Sequence, residues 1–267
     1  MDTPVSELKV DLPTWQIVQG DGYRYAFGGR ADGPPLVLVH GLFGALSNWD
    51  LTLQTFASQY ALYVPLLPIY EQSSVDPSLQ GLTAYLLRFY EGEGLPPSVW
   101  MGNSLGGHLS LLAARTYPQA VRGLVLTGSS GLFEEGMGSS FPRRSSREYV
   151  AERVRYTFYD PRHATPELVE EVYTIVNDNY KALRVLKVAR DAQRNFVGGW
   201  LPEIDVPTCL IWGLNDTITP ISVAYTFFRL LPQAELHFID ECGHAPMMEQ
   251  PERFHAILLR FLQRIFS

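Results

Sequence analysis

The strongest chemical signal in the chain is Val99-Trp100-Met101-Gly102-Asn103-Ser104-Leu105-Gly106-Gly107-His108, an apolar run, a G-x-S-x-G and then a helix-forming stretch. A serine on a sharp strand-to-helix turn presents its hydroxyl, and small residues two before and two after it avoid the clashes such a turn creates. The hydroxyl is a weak nucleophile until a base takes its proton, and that base needs an acid to orient it. Both follow in chain order: Asp216 just beyond the apolar run Ile211-Trp212, and His244 just beyond Ile239 in Ile239-Asp240-Glu241-Cys242-Gly243-His244. Singly, Asp216 reads as a turn or cap residue before Pro220 and His244 as a solvated loop histidine. Together, in the order serine, acid, histidine and each after a strand, they suit nucleophilic acyl transfer on a doubly wound sheet. Asp240 and Glu241 are rival acids, less suited because they lie almost beside His244 in sequence.

Acyl transfer also needs two N–H donors aimed at the developing oxyanion. One is expected from Leu105, the residue after the serine. The other is expected from Leu42, with Phe43 as the alternative, in Leu38-Val39-His40-Gly41-Leu42-Phe43-Gly44, where two glycines free the backbone to turn its amides inward. His40 reads as a brace for that loop rather than a second base. His108, His163, His237 and His255 are scattered and form no metal-ligand spacing, so neither a metal nor a cofactor is expected.

The elements that must position these residues follow from hydrophobic pattern. Thr14 to Gln19 and Tyr23 to Phe27 flank Gly20-Asp21-Gly22, which reads as an antiparallel hairpin. Short apolar runs at Leu36 to Val39, Leu62 to Leu66, Val99 to Met101, Leu124 to Leu126 and Thr208 to Trp212 suit strands buried on both faces. Leu236 to Ile239 is expected to be the last strand. Helical periodicity lies between them, at Leu51 to Ala57, Leu82 to Tyr90, Leu105 to Tyr117 and Val223 to Leu231, with an amphipathic Pro251 to Phe266 at the end. The expected class is therefore α/β, a doubly wound, mostly parallel sheet covered by helices on both faces. From about Leu132 to Trp200 the rhythm breaks into helices alone, Arg147 to Tyr159, Pro166 to Val176 with Thr165 as N-cap, and Lys181 to Arg194. That insertion reads as a cap, so the expected division is a core of 1–131 and 201–267 with a helical cap at 132–200.

Composition bounds the rest. The 267 residues are 46% apolar, which supports one large core and excludes a disordered or disulfide-stapled chain. The 21 Lys and Arg against 28 Asp and Glu give a net charge of −7, which argues against a nucleic-acid partner. The inserted segment is close to neutral, with eleven basic and ten acidic residues, so the acidity belongs to the core. Acids near the N-terminus argue against a signal peptide, and no apolar run reaches membrane-spanning length, so a cytoplasmic protein with no membrane partner, monomer or homodimer, is expected. Cys209 and Cys242 are expected as reduced thiols.

His40-Gly41, Gly102 to Gly107, Asp216 and Cys242-Gly243-His244 resemble the α/β-hydrolase superfamily over nearly the whole chain. Within it, Gly102-Asn103-Ser104-Leu105-Gly106-Gly107, Tyr159-Asp160-Pro161 and Thr165-Pro166-Glu167-Leu168-Val169 are similar to hydrolases that cleave a carbon–carbon bond in ring-fission products. The chain departs from them at three places. Val172 aligns with their cap arginine for the substrate carboxylate, Ala245 with a tryptophan after the histidine, and Leu42-Phe43-Gly44-Ala45 with a Ser-Gly-Pro-Gly loop. The resemblance also implies that branches working on haloalkanes and epoxides carry aspartate at the elbow, so Ser104 points to acyl transfer. The expected activity is a serine carboxylesterase for small to medium apolar acyl or aryl esters, working through an acyl-enzyme. A carbon–carbon hydrolase, or a small-molecule receptor with vestigial hydrolysis, is the alternative. Specificity is expected from the cap, whose aromatics Phe133, Phe141, Tyr149, Tyr156, Phe158, Tyr159, Tyr173, Tyr180, Phe196 and Trp200 divide between packing and pocket. Arg143-Arg144-Ser145-Ser146-Arg147 reads as a solvated surface before an anion clamp.

Overall fold

A computed structural model describes residues 13–134 and 143–267. Eight strands form one sheet in the order β1-β2-β4-β3-β5-β6-β7-β8. These are β1 (Gln16–Gln19), β2 (Arg24–Gly29), β3 (Pro35–Val39), β4 (Ala61–Pro65), β5 (Ser98–Asn103), β6 (Val121–Thr127), β7 (Thr208–Gly213) and β8 (Ala234–Ile239). β1 and β2 pair antiparallel, β2 joins β4 antiparallel, and every pairing from β4 to β8 is parallel. The expected hairpin and mostly parallel sheet are therefore both present. β5 and β7 are buried along their whole length, as two covered faces require.

Side chains alternate across the strands, so the sheet splits the core in two. Val37, Val39, Trp100, Leu124, Leu126, Leu210 and Trp212 pack with α2 (Leu79–Gly92), α3 (Leu105–Thr116) and α7 (Ile221–Leu230). Leu36, Leu38, Val99, Met101, Val125, Cys209 and Ile211 face the other way, onto α1 (Asp50–Phe56) and α9 (Pro251–Phe266). Chain order reverses at β3, whose neighbours are β4 on one side and β5 on the other. The loops after β3 and β5 diverge there and leave a crevice at the carboxyl end of the sheet.

Between β6 and β7 come α4 (Arg147–Arg155), α5 (Pro166–Asn177) and α6 (Asn179–Arg194), with no strand among the described residues of that stretch. Val150, Val154, Val172 and Val176 give α4 and α5 a small core of their own. Thr165 caps α5 as expected, its side chain accepting from the Leu168 amide at 3.3 Å. Asp178 caps α6 through the Tyr180 and Lys181 amides, which starts that helix at Asn179 rather than Lys181. Polar contacts tie α6 to the core, among them the Lys187–Asp76 ion pair. The buried Arg184 guanidinium donates to the Pro68, Ile69 and Val75 carbonyls at 2.8–3.1 Å. The Asp191 carboxylate accepts from the Leu79 amide at 2.7 Å.

Candidate active site

Ser104 stands between β5 and α3 with φ 54° and ψ −119°, a region that a residue with a Cβ rarely occupies. The surrounding glycines explain how the backbone holds it there. A Cβ on Gly102 would lie 2.3 Å from the Gly106 carbonyl, and one on Gly106 would lie 2.0 Å from the Val39 carbonyl oxygen. The G-x-S-x-G spacing is thus a steric requirement of packing the helix start onto β3 and β5. The strained turn leaves the Ser104 hydroxyl with no hydrogen bond to any described residue and facing a cavity of about 150 Å³.

His244 faces the same cavity from the loop after β8, and Asp216 sits behind it in the loop after β7. His244 Nδ1 lies 2.9 Å from Asp216 Oδ2, with both residues buried. The Ile218 and Thr219 amides donate to Asp216 Oδ1 at 2.9 Å, and the Thr219 hydroxyl donates to Oδ2 at 2.8 Å. A carboxylate with four donors stays fixed in place and acceptor-only, so it keeps the imidazole proton on Nδ1, which donates to it, and leaves Nε2 as the acceptor. Burial opposes the His244 imidazolium, but the Asp216 charge and hydrogen bond, helped by Glu134 and Glu249, outweigh it and hold its pKa above the ordinary value. Asp240 and Glu241 bond elsewhere: the Asp240 side chain accepts from the Glu241 amide, and both are exposed.

Leu42 and Phe43 both line the cavity, in a turn closed by the Gly44 amide on the Gly41 carbonyl at 3.1 Å. Leu105 opens α3, where a backbone N–H has no intrahelical acceptor. The Tyr70 hydroxyl donates to the Leu42 carbonyl, which turns the Phe43 N–H of the same trans peptide away from Tyr70. His40 braces the loop as expected: Nδ1 lies 2.8 Å from the Gly41 carbonyl, and Nε2 accepts from the Leu67 amide at 3.3 Å. Burial lowers its pKa, consistent with a neutral ring donating on one side and accepting on the other.

Three supporting residues escaped the sequence reading. Glu249 ends the short α8 (Pro246–Glu249), itself unexpected, and its buried carboxylate accepts from the Gly243, Ala245 and Tyr159 amides at 2.7–3.2 Å. It thereby fixes the backbone on both sides of His244 and ties that loop to the segment after α4, where the Thr157 carbonyl accepts from the His244 amide at 2.9 Å. Asn103 donates from its side chain to the His244 carbonyl at 2.9 Å and the Thr127 carbonyl at 3.1 Å, joining the serine turn to the histidine loop. Gly128, with φ +52°, is the third, since a Cβ there would lie 2.7 Å from His244 Nδ1.

The cavity lining corrects one expectation. Of the cap aromatics, Phe158 alone lines it among the described residues, while Phe133, Tyr156, Tyr159, Tyr180 and Phe196 are exposed and Phe141 lies outside the described residues. Aliphatic side chains, Val154, Leu168, Val172, Val185 and Met248, supply the apolar wall. Helical spacing marks which residues face inward but not which of two inward faces meets a cavity. The arginine cluster is no clamp: Arg144 binds the Val176 carbonyl and Asn179, and Arg147 pairs with Glu170.

Both cysteines are free and buried. Cys209, Glu235 and His237, distant from the cavity on β7 and β8, bring ligand-type atoms within 4.8 Å of one another, a convergence that sequence spacing concealed. The Arg264 guanidinium already holds Glu235 at 2.7 Å and burial pushes the Cys209 thiol up, so the set is a protonated thiol and an ion pair rather than a preformed cation site. Among the described residues no helix is long and apolar enough to cross a membrane.

Comparison with known proteins agrees with this geometry. Residues 36–257 match the family model described as "Alpha/beta hydrolase family". The chain is 30% identical, over 88% of its length, to the dihydrolipoyllysine-residue acetyltransferase component of the acetoin cleaving system of Pseudomonas putida, of which it spans 65%. It is 25% identical to Lipase 1 of Psychrobacter immobilis over 90% of this chain and 80% of the lipase. It is 30% identical to the 2-hydroxy-6-oxononadienedioate/2-hydroxy-6-oxononatrienedioate hydrolase of Paraburkholderia phymatum over 85% and 86% of the two chains. Among solved structures, an alpha/beta hydrolase enzyme from the metagenome of Mar Chica lagoon sediments in Morocco superposes with a TM-score of 0.77 and 36% identity, covering 94% of this chain and all of that one. The chain belongs to the alpha/beta hydrolase family.

Proposed function

We propose that the protein is a serine carboxylic ester hydrolase in which Ser104 is the nucleophile, His244 the general base and acid, and Asp216 the orienting acid. The observation that carries the reading is the shared cavity: Ser104, on a strained backbone and with its hydroxyl bonded to no described residue, and a His244 ring held by Asp216 at 2.9 Å face the same small space. His244 Nε2 takes the Ser104 proton as Oγ attacks the ester carbonyl, and the imidazolium gains its stability from Asp216. The oxyanion accepts from the Leu105 amide and from Leu42, with Phe43 as the alternative donor. Collapse of the tetrahedral intermediate returns the proton to the leaving alkoxide and frees the alcohol. Water, deprotonated by His244, then attacks the acyl-enzyme and releases the carboxylic acid.

A cavity of about 150 Å³ with an aliphatic wall fits a short acyl chain or a single aryl ring. In this reading residues 132–200 act as the cap and 1–131 with 201–267 as the core, the cap supplying that wall. The lipase relative supports ester chemistry, and the ring-fission relative supports the carbon–carbon alternative. Against the latter, Val172 and Ala245 line the cavity where the resemblance calls for arginine and tryptophan, and none of the described lining residues is Lys or Arg to hold a substrate carboxylate. The test is covalent trapping with an alkyl fluorophosphonate followed by peptide mass mapping. The reading expects one adduct, on the Ser104 peptide, absent from Ser104→Ala. An unlabelled wild type, or a label elsewhere, contradicts it.

A further inference from the structure

Glu134 is the one carboxylate among the described residues that line the Ser104 cavity. It stands after β6 in a loop that also holds Gly128, and it lies within electrostatic reach of both His244 and Asp216. The Ser130 hydroxyl hydrogen-bonds it and the His244 imidazolium attracts it, but no described Lys or Arg pairs with it. Arg144 and Arg147 are spent on Val176, Asn179 and Glu170, and Arg184 on core carbonyls. The sequence that follows, from 135 to 142, contains neither Lys nor Arg. The other polar groups on the wall, Asn48, Asn103, Thr157 and Gln193, are neutral. While His244 is neutral, a carboxylate largely withdrawn from water with no Lys or Arg beside it is a standing electrostatic cost, relieved by any occupant that brings positive charge or N–H and O–H donors. An anionic occupant adds like-charge repulsion in the same confined space.

We propose that Glu134 is a specificity residue that selects esters carrying a cationic or hydrogen-bond-donating group and rejects substrates carrying a carboxylate. The inference deepens the ester-hydrolase reading and rests on it for turnover, but not for binding. Burial pushes the Glu134 pKa up, so the preference for cations grows as pH rises through that raised value and the carboxylate ionises. Selectivity then comes from one charge on an otherwise aliphatic wall, which predicts that neutral short esters are also accepted.

The experiment compares kcat/KM for three matched para-nitrophenyl esters: the neutral pentanoate, the cationic trimethylammoniobutanoate and the anionic glutarate half-ester. Wild type is expected to favour the cationic over the anionic ester by at least about tenfold, the scale of a single confined charge interaction. Glu134→Gln, with its fold checked by thermal melting, is expected to bring that ratio close to one, chiefly by gaining on the anionic ester. An unchanged ratio in Glu134→Gln overturns the proposal. Binding of hexyltrimethylammonium and hexanoate to Ser104→Ala, with and without Glu134→Gln, separates the two claims. If no ester is turned over but the cation is still preferred in a Glu134-dependent way, the hydrolase reading fails and this one stands. If neither ligand is preferred, this one fails whatever the turnover.

Discussion

At the scale of single residues, its environment sets the behaviour of His244. Asp216 and its hydrogen bond raise the histidine's pKa against the effect of burial. A general base must be neutral in the free enzyme, so kcat/KM falls as pH drops through that raised value. The acid limb of the pH profile is therefore expected above the pKa of an ordinary imidazole. Asp216→Asn removes the charge that raises it, so the limb should move to lower pH while kcat falls by about three to four orders of magnitude. A limb that stays in place would remove Asp216 as the orienting acid. Glu249 gives a second prediction, since Glu249→Ala leaves the Gly243, Ala245 and Tyr159 amides without their acceptor. The expected cost is about 3 kcal/mol of stability by denaturant unfolding, with kcat reduced more than KM. Equal activity would mean that the histidine loop holds itself. The placement of Ser104, Asp216 and His244 at the carboxyl edge of the sheet was legible in the sequence because each follows an apolar strand in a recognisable context. Glu249, Asn103 and Gly128 were not, because their roles depend on which backbone groups the folded loops bring beside them.

At the scale of elements, the serine turn is a contact between three pieces of backbone. α3 begins against β3 and β5 so closely that Gly106 has no room for a methyl group, its Cβ falling 2.0 Å from the Val39 carbonyl. Gly106→Ala must push the helix off the sheet and is expected to cost about 3 kcal/mol, roughly 6–10 °C in Tm by calorimetry, with loss of activity at temperatures where the variant is still folded. Retained activity would show that the turn tolerates a displaced α3. The strands were legible where burial on two faces leaves an apolar run, as in Leu36 to Val39 and Thr208 to Trp212. Ends were less legible. The start of α6 moved to Asn179 because the Asp178 side chain caps it, and α8 is too short for any periodicity to show.

At the scale of the whole molecule, contacts that hold the insertion to the core include Arg184 and Asp191 on α6, the Thr157 to Tyr159 segment against the histidine loop, and the Val197 amide on the Gly131 carbonyl. Arg184→Met removes the donor for three core carbonyls. Amide exchange should then accelerate through α6 while β3, β5 and β6 keep their protection, and KM should rise as the cavity wall loosens. Uniform acceleration would mean that the insertion and the sheet unfold as one unit. The doubly wound sheet and the helical insertion were legible from the alternation of runs. The nature of the pocket was not, since aromatics expected at the wall are largely on the surface and aliphatic residues take their place.

The central claim is that Ser104 carries ester hydrolysis, and steady-state turnover of para-nitrophenyl esters of graded acyl length by wild type and Ser104→Ala tests it most directly. The account predicts sustained turnover by wild type, highest for short acyl chains that a cavity of about 150 Å³ admits, and a fall of several orders of magnitude in Ser104→Ala. Equal residual rates in the two proteins, or a single burst with no further cycles in wild type, would contradict it.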